Sequence, residues 1–254
     1  PNGIILVTGP TGSGKTTTLY STLRDLATPE VNVSTIEDPI EMVEPAFNQM
    51  QIQASIDLDF ATGIKALMRQ DPDIIMIGEI RDLETAEMAT QAALTGHLVL
   101  STLHTNDAPS AITRLMELGI PPYLIRATVI GVMAQRLVRT LCPTCKKPHK
   151  LEEEDWAMLT KPWKTPLPTN SQQPIGCLEC RNTGYRGRAG VYEIMPLSEA
   201  IKENIHEHGQ VNEIRKQAIK EGMHSLRLSG ANKIANGQTT IDEVLRVTPV
   251  SLNK

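Results

Sequence analysis

The sequence predicts an open α/β fold, followed by a small module held by cysteines and a mostly helical C-terminal region. Three observations carry that prediction. Short aliphatic runs alternate with helical patterns over the first 140 residues, which is the signature of strands and helices in alternation. All four cysteines fall within 141–188, a stretch with several prolines and no strong periodicity. Helical spacing returns from about Leu197. The domain boundaries read from these shifts are 1–140, 141–188 and 189–254.

The strand candidates are Ile4–Thr8, Val31–Ile36, Ile74–Ile77 and Leu98–Thr102. Each is apolar on both faces, as in a parallel sheet covered by helices on either side. Between them, Thr16–Ala27 carries Leu19, Leu23 and Leu26 on one helical face, and Phe60–Gln70 and Leu83–Leu94 have similar spacing. Asp82 stands where the last of these needs an N-cap. Gln49–Gln53 alternates polar and apolar residues and suits an edge strand. Tyr123–Arg139 reads as a long helix leaving the sheet. Near the C-terminus Val211, Ile214 and Ala218 share a face, and Thr240-Ile241-Asp242-Glu243 reads as a capping box before a final helix. The run Ile4–Val7 follows Pro1-Asn2-Gly3 directly, with no helix before it, and predicts that the chain is part of a longer protein.

Composition narrows the function classes. Of 254 residues, 40% are apolar and only 3% aromatic, so the core must be aliphatic. No apolar run approaches the roughly 18 residues that cross a bilayer, and the expected location is cytoplasmic. The net charge is −4 and is unevenly spread. Residues 1–140 hold 9 Lys and Arg against 16 Asp and Glu, whereas residues 141–254 hold 16 against 13. An acidic first domain with few aromatics disfavours nucleic acid, which is recognised by positive charge and base stacking.

Gly9-Pro10-Thr11-Gly12-Ser13-Gly14-Lys15-Thr16 fits G-x-x-x-x-G-K-[ST] between a predicted strand and helix, and Thr17 continues it. Glycines there let consecutive backbone N–H groups turn inward around phosphate, beside a helix N-terminus that favours negative charge. Lys15 would reach the β- and γ-phosphates and the Thr16 hydroxyl would bind Mg²⁺. Hydrolysis needs a base as well. Asp73–Ile77 is followed by Gly78 and Glu79, and a carboxylate at the end of a central strand can orient or deprotonate an attacking water. A second acidic group, Glu37-Asp38-Pro39-Ile40-Glu41, follows another strand, and Pro39 would end that strand and aim Glu37 and Asp38 at the same edge. His97 enters the Leu98–Thr102 strand and His104 leaves it. An extended strand separates them by roughly 23 Å, so one ligand cannot take both.

Cys142-x-x-Cys145 and Cys177-x-x-Cys180 are 31 residues apart. Each pair can chelate from a tight knuckle, and four thiolates suit tetrahedral Zn²⁺ in a closed structural site. The gap is longer than in an ordinary zinc ribbon, but lengthening a loop is cheap because closure entropy grows logarithmically. Lys146, Lys147, Arg181, Arg186 and Arg188 can offset the −2 charge of such a site. Disulfides or free thiols are the alternatives.

Taken together, GPTGSGKTTTLY, TIEDPIE, RQDPDIIMIGEIRD, TGHLVLSTLHTN, QRLVRTLCPTC and YRGRAGVYEI resemble the type II secretion and type IV pilus assembly ATPases (GspE/PilB-like) over nearly the whole chain. The resemblance implies a RecA-like P-loop NTPase core and a hexameric motor. It also implies ATP, Mg²⁺ and Zn²⁺ as cofactors, and docking on platform proteins at the inner membrane. It assigns Glu79 as general base, Glu37 and Asp38 as supports for metal and water, and His97 and His104 as links between nucleotide state and motion. Arg69, Arg81 and Arg114 fall in family motifs and would face phosphate or a neighbouring subunit. A PAS-like domain that completes the nucleotide site lies upstream in this family. Assembly members commonly carry a tetracysteine module that retraction members lack, which favours secretion or pilus extension. A nucleotide-gated binding module without useful turnover is the main alternative, and a nucleic-acid motor is the other. A pure switch needs no base, so Glu79 argues against the first.

Overall fold

The computed structural model describes Asn2–Thr248. Pro1, where the expectation of a longer protein begins, and the last six residues lie outside that range. The described residues fold as two compact units. One comprises those of Pro1–Ala134 with Ile194–Gly222, and the other those of Gln135–Glu193 with Met223–Lys254.

The first unit is built from β1 (Gly3–Thr8), α1 (Lys15–Leu26), β2 (Val33–Glu37), β3 (Asn48–Gln51), α2 (Phe60–Leu67), β4 (Ile74–Ile77), α3 (Leu83–Leu94), β5 (Leu98–Leu103), α4 (Ala108–Glu117) and α5 (Pro122–Thr128), with the start of β6 (Val129–Leu141). Its strand order is β3-β2-β4-β5-β1-β6, and every neighbouring pair is parallel. Parallel strands need crossovers, and the helices that supply them cover both faces. β2, β4 and β5 are therefore buried along their whole length. The core is aliphatic, with Leu6, Ile36, Ile64, Ile75, Ile77 and Leu103 at 1% exposure or less. Asp59, Asp82 and Asp107 cap their helices by accepting from the backbone N–H three residues on, at 2.8, 2.8 and 2.9 Å. β3 is the edge strand expected at Gln49–Gln53, displaced by one or two residues.

The register places the site. Glu37 ends β2, Ile77 pairs with Ser101 of β5, and Thr8 of β1 pairs with Leu103. The residues after these four strand ends share the carboxyl edge of the sheet, where ligands bind in open α/β folds.

Tyr123–Arg139 does not form the long helix expected of it. α5 stops at Thr128 and β6 takes over. The free edge of β1 decides this, because its N–H and C=O groups need partners. Ile4, Leu6 and Thr8 align with Val129, Val132 and Ala134. The run also holds Val129, Ile130, Val132 and Val138, branched residues that suit a strand.

In the second unit, the rest of β6, β7 (Lys147–Pro148), α6 (Glu153–Thr160), β8 (Gln172–Gln173) and β9 (Tyr185–Pro196) as far as Glu193 precede α7 (Glu199–Glu203) and α8 (Val211–Lys220) of the first. α9 (Leu226–Ala235) and α10 (Ile241–Val247) complete it. The cysteine region contains one helix the sequence did not reveal. In α6, Trp156 is buried and donates its Nε1–H to the Thr165 carbonyl at 3.1 Å. Val211, Ile214 and Ala218 lie on α8 as expected, with Ile214 and Ala218 buried. The expected capping box at Thr240 is half present. Thr240 Oγ1 accepts from the Glu243 N–H at 3.4 Å, but the Glu243 carboxylate turns instead to Arg139 and Arg246. No described helix is long and apolar enough to cross a membrane.

Candidate active site

The loop between β1 and α1 has the geometry its glycines promise. Gly12 and Gly14 adopt φ of +77° and +87°, a region that L side chains avoid. Ser13 N–H donates to the Pro10 carbonyl at 3.2 Å and closes the turn. α1 then starts at Lys15 with no acidic residue in its first turn, so its positive end stays open to an anion. Lys15 Nζ donates to the carbonyls of Gly9 and Pro10 at 2.9 and 3.2 Å. Thr8, just before the loop, donates its Oγ1–H to the Leu103 carbonyl at 3.0 Å and accepts from the Thr105 N–H at 2.8 Å. These bonds lock the phosphate loop to the segment that carries His104.

The loop opens on a cleft of about 400 Å³. Thr11, Gly12, Gly14, Lys15, Thr16 and Thr17 line one wall. Glu37 and Asp38 line another, and Glu79, Arg81 and His104 line a third. The site therefore gathers residues spread over 94 positions of sequence, because four parallel strands end at one edge. Gly9, Pro10 and Ser13 belong to the same loop but are not among the residues that line the cleft.

Glu79 is the carboxylate best placed for chemistry. It is 15% exposed in its side chain, forms an ion pair with Arg81, and has Oε2 at 3.5 Å from His104 Nε2. The hydrogen bond and charge of Glu79 hold the Arg81 guanidinium pKa above its ordinary value. Arg81 thus remains a fixed positive charge at the cleft. Gly78 ties β4 to both neighbours, donating N–H to the Ile36 carbonyl at 2.8 Å and accepting from Thr102 Oγ1 at 2.8 Å. Opposite, Thr16 Oγ1 donates to Glu41 Oε1 at 3.2 Å. Thr16, Glu37, Asp38 and Glu41 are hard oxygen donors on one side of the cleft, a set that fits Mg²⁺.

His97, Arg69 and Arg114 are not among the residues that line this cleft. His97 precedes β5, at the opposite edge of the sheet, where its Nδ1 lies 2.8 Å from the Ala92 carbonyl and 3.1 Å from Thr95 Oγ1. That is a cap on the end of α3. Arg114 pairs with Glu117 on α4 at 3.3 Å, and Arg69 lies exposed beyond α2. The sequence reading also passed over residues that do reach the site. Phe60, Thr102 and Glu41 line the cleft, and Tyr20 and Gln49 bond to Glu37 from behind. Glu41 lay inside the quoted acidic motif. Tyr20 closed the quoted phosphate-loop motif without a role assigned to it, and Gln49 carried no local signal, since an edge-strand glutamine resembles a solvent-facing residue.

In the second unit, the four cysteine sulfurs lie within 4.8 Å of one another. Cys142 and Cys177 are 3.9 Å apart, as are Cys145 and Cys180, and Cys177 and Cys180 are 3.8 Å apart. A tetrahedral zinc with Zn–S near 2.3 Å puts its sulfurs about 3.8 Å apart, so the cluster has the dimensions of that site. Backbone donors point at the sulfurs. Cys180 Sγ accepts from the N–H groups of Cys177 and Gly184 at 3.2 Å each, and Cys145 Sγ from Gly176 N–H at 3.3 Å. Burial opposes ionisation of Cys180, but these donors outweigh it and bring its pKa down to about 6. A thiolate is thereby favoured at Cys180; at Cys177 the backbone N–H of Cys180 acts the same way, but burial and the other sulfurs outweigh it and push the thiol up to about 11. No disulfide joins any of the four cysteines.

Comparison with known proteins agrees with this picture. The family described as "Type II/IV secretion system protein" matches residues 1–246. The chain is 59% identical over 250 residues to the type IV pilus assembly ATPase TfpB of Acinetobacter baylyi, covering 98% of this chain and 43% of that protein. It is 51% identical over 248 residues to type II secretion system protein E of Pseudomonas aeruginosa, covering 98% and 49%. Among solved structures, the pilus retraction motor PilT with bound ADP superposes with a TM-score of 0.70 at 29% identity, over 98% of this chain and 62% of that one. The chain spans about half the length of the curated relatives it matches.

Proposed function

The chain belongs to the type II/IV secretion system protein family, and from that premise we propose that it is the ATP-hydrolysing region of a motor that drives pseudopilus or pilus assembly. The process is type II secretion or type IV pilus extension. One observation carries the reading: a phosphate loop, a strand-end carboxylate and a second acidic group converge on one cleft. A binding module would need only the first.

In this reading the loop N–H groups and Lys15 receive the phosphate oxygens of ATP, with Lys15 exchanging the Gly9 and Pro10 carbonyls for phosphate. Thr16, Glu37, Asp38 and Glu41 would hold Mg²⁺, which when bound neutralises charge on the phosphates. Glu79 accepts a proton from water as the water oxygen bonds to the γ-phosphorus. The bond from that phosphorus to the bridging oxygen breaks, and its electron pair leaves with ADP. Arg81 and His104, both beside Glu79, orient it, and Arg81 places positive charge where the transferred group gains negative charge.

The four cysteines would hold zinc as a structural crosslink. This cluster supports an extension or secretion motor over a retraction motor. We further infer a hexamer that docks on platform proteins at the inner membrane, with Arg69 and Arg114, outside the cleft, facing a neighbouring subunit. A steady-state phosphate-release assay on the intact protein tests the reading. Turnover of ATP that disappears in Glu79→Gln is expected. Binding without turnover in the parent would leave a nucleotide-gated module instead.

A further inference from the structure

Glu37 lines the cleft, yet it is only 3% exposed and both its oxygens are engaged from behind. Tyr20 Oη donates to Oε2 at 2.7 Å. Thr35 Oγ1 donates to Oε1 at 2.6 Å, and Gln49 Nε2 reaches the same oxygen at 3.3 Å. Gln49 does more. Its Nε2 also donates to Tyr20 Oη and to the Met42 carbonyl, both at 2.9 Å, while its Oε1 accepts from the Glu44 N–H at 2.7 Å. The network joins α1, β2, β3 and the loop between β2 and β3, which includes Asp38 and Glu41.

Stability alone does not call for this arrangement. A phenylalanine at position 20 would fill the same space, and burying a carboxylate is costly unless every oxygen finds a donor. The network does accomplish one thing an apolar core could not, which is to fix the direction in which a carboxylate faces. Tyr20 lies five residues beyond Lys15 on the helix that begins at the phosphate loop. It is fully buried, with its ring against Phe47 at 5.8 Å between centroids. Its hydroxyl donates to Glu37 and accepts from Gln49, so one group ties the carboxylate on β2 to the amide on β3.

We propose that Tyr20 and Gln49 are positioning residues that hold Glu37 and the following acidic loop in register with the phosphate loop. The carboxylates on the metal side of the cleft are thereby set before ATP arrives. The proposal rests on the ATPase reading above.

The test is a set of variants in the intact protein. Tyr20→Phe keeps the ring and removes one hydroxyl. It should lower kcat for ATP hydrolysis by about 10-fold, since small misplacements are costly in a preorganised site, with KM for ATP little changed and Tm lowered because Glu37 Oε2 loses a donor. Gln49→Met should act in the same direction. The decisive measurement is a double-mutant cycle by single-turnover phosphate release. With Glu37 already changed to Gln, Tyr20→Phe should have almost no further effect, because it acts through that carboxylate. If Tyr20→Phe leaves kcat unchanged, or if its effect adds fully to that of Glu37→Gln, the positioning role is overturned. Should Tyr20→Phe fail to fold, Gln49→Met on the edge strand carries the same cycle. If the parent releases no phosphate from ATP, the ATPase reading itself has failed; a parent that turns over beside an unaffected Tyr20→Phe overturns only the positioning role.

Discussion

His104 Nε2 lies 3.5 Å from Glu79 Oε2, although 24 residues separate the two in sequence. They meet because β4 and β5 are parallel neighbours with Ile77 beside Ser101, so both chains leave the sheet at the same edge. On the far side of Glu79 its other oxygen pairs with Arg81. The carboxylate is held between two cationic or polar partners and keeps one face to the cleft.

Glu79→Gln should therefore retain nucleotide binding and lose about 10²- to 10⁴-fold in turnover, the range expected for a general base. Lys15→Ala should instead lose nucleotide affinity, because a charge-assisted contact to phosphate is gone. Equilibrium binding of ATP with Mg²⁺, measured beside phosphate release, separates the two. Parental turnover in Glu79→Gln would remove Glu79 from the role.

The two histidines should behave differently. His104→Asn changes a cleft residue in contact with Glu79 and should lower kcat. His97→Asn disturbs the cap on α3 and should lower Tm by a few degrees while kcat stays close to the parent. A kcat loss for His97→Asn as large as that for His104→Asn would contradict this division.

One zinc per chain is expected, bound by Cys142, Cys145, Cys177 and Cys180. Structural zinc in small modules contributes roughly 10–16 kcal/mol of apparent binding free energy. Chelation should thus unfold residues 141–188 locally, seen as new amide exchange there, while nucleotide binding persists. Elemental analysis of protein purified without chelators checks the stoichiometry directly.

Glu243 should mark the acid stability of the second unit. It is 2% exposed and accepts from Arg139 at 2.5 Å and Arg246 at 2.8 Å, while Arg139 also stacks 4.2 Å above the Tyr185 ring. Burial by itself would raise its pKa; the two guanidinium groups more than offset that and hold it at about 2. A depressed carboxylate stabilises the fold above its unfolded pKa, near 4.3, and that stability fades as pH falls toward 2. The contribution is on the order of 2–3 kcal/mol near neutral pH. Glu243→Gln should lower Tm at pH 7, and its deficit should shrink as pH falls from about 5 to 2. A deficit that does not vary with pH would show that the ion pairs are not its source.

Some of this protein is determined locally and could be read from the chain alone. β4 and α3 begin and end at the residues their hydrophobic patterns indicated, and Asp82 caps α3 as its position required. The phosphate loop, the carboxylate after β4 and the paired cysteines are likewise written in short motifs, since each depends on neighbours within a few residues. The tertiary structure decided the rest. Val129–Ala134 is a strand because β1 offers it an unpaired edge, a condition no local window contains. His97 and His104 belong to one motif, yet opposite ends of β5 carry them to opposite edges of the sheet. Tyr20 and Gln49, far apart in the sequence, meet at Glu37 because α1, β2 and β3 pack together. Short-range sterics and capping set the elements; long-range strand pairing and the need to satisfy buried polar groups set which side chains share a site.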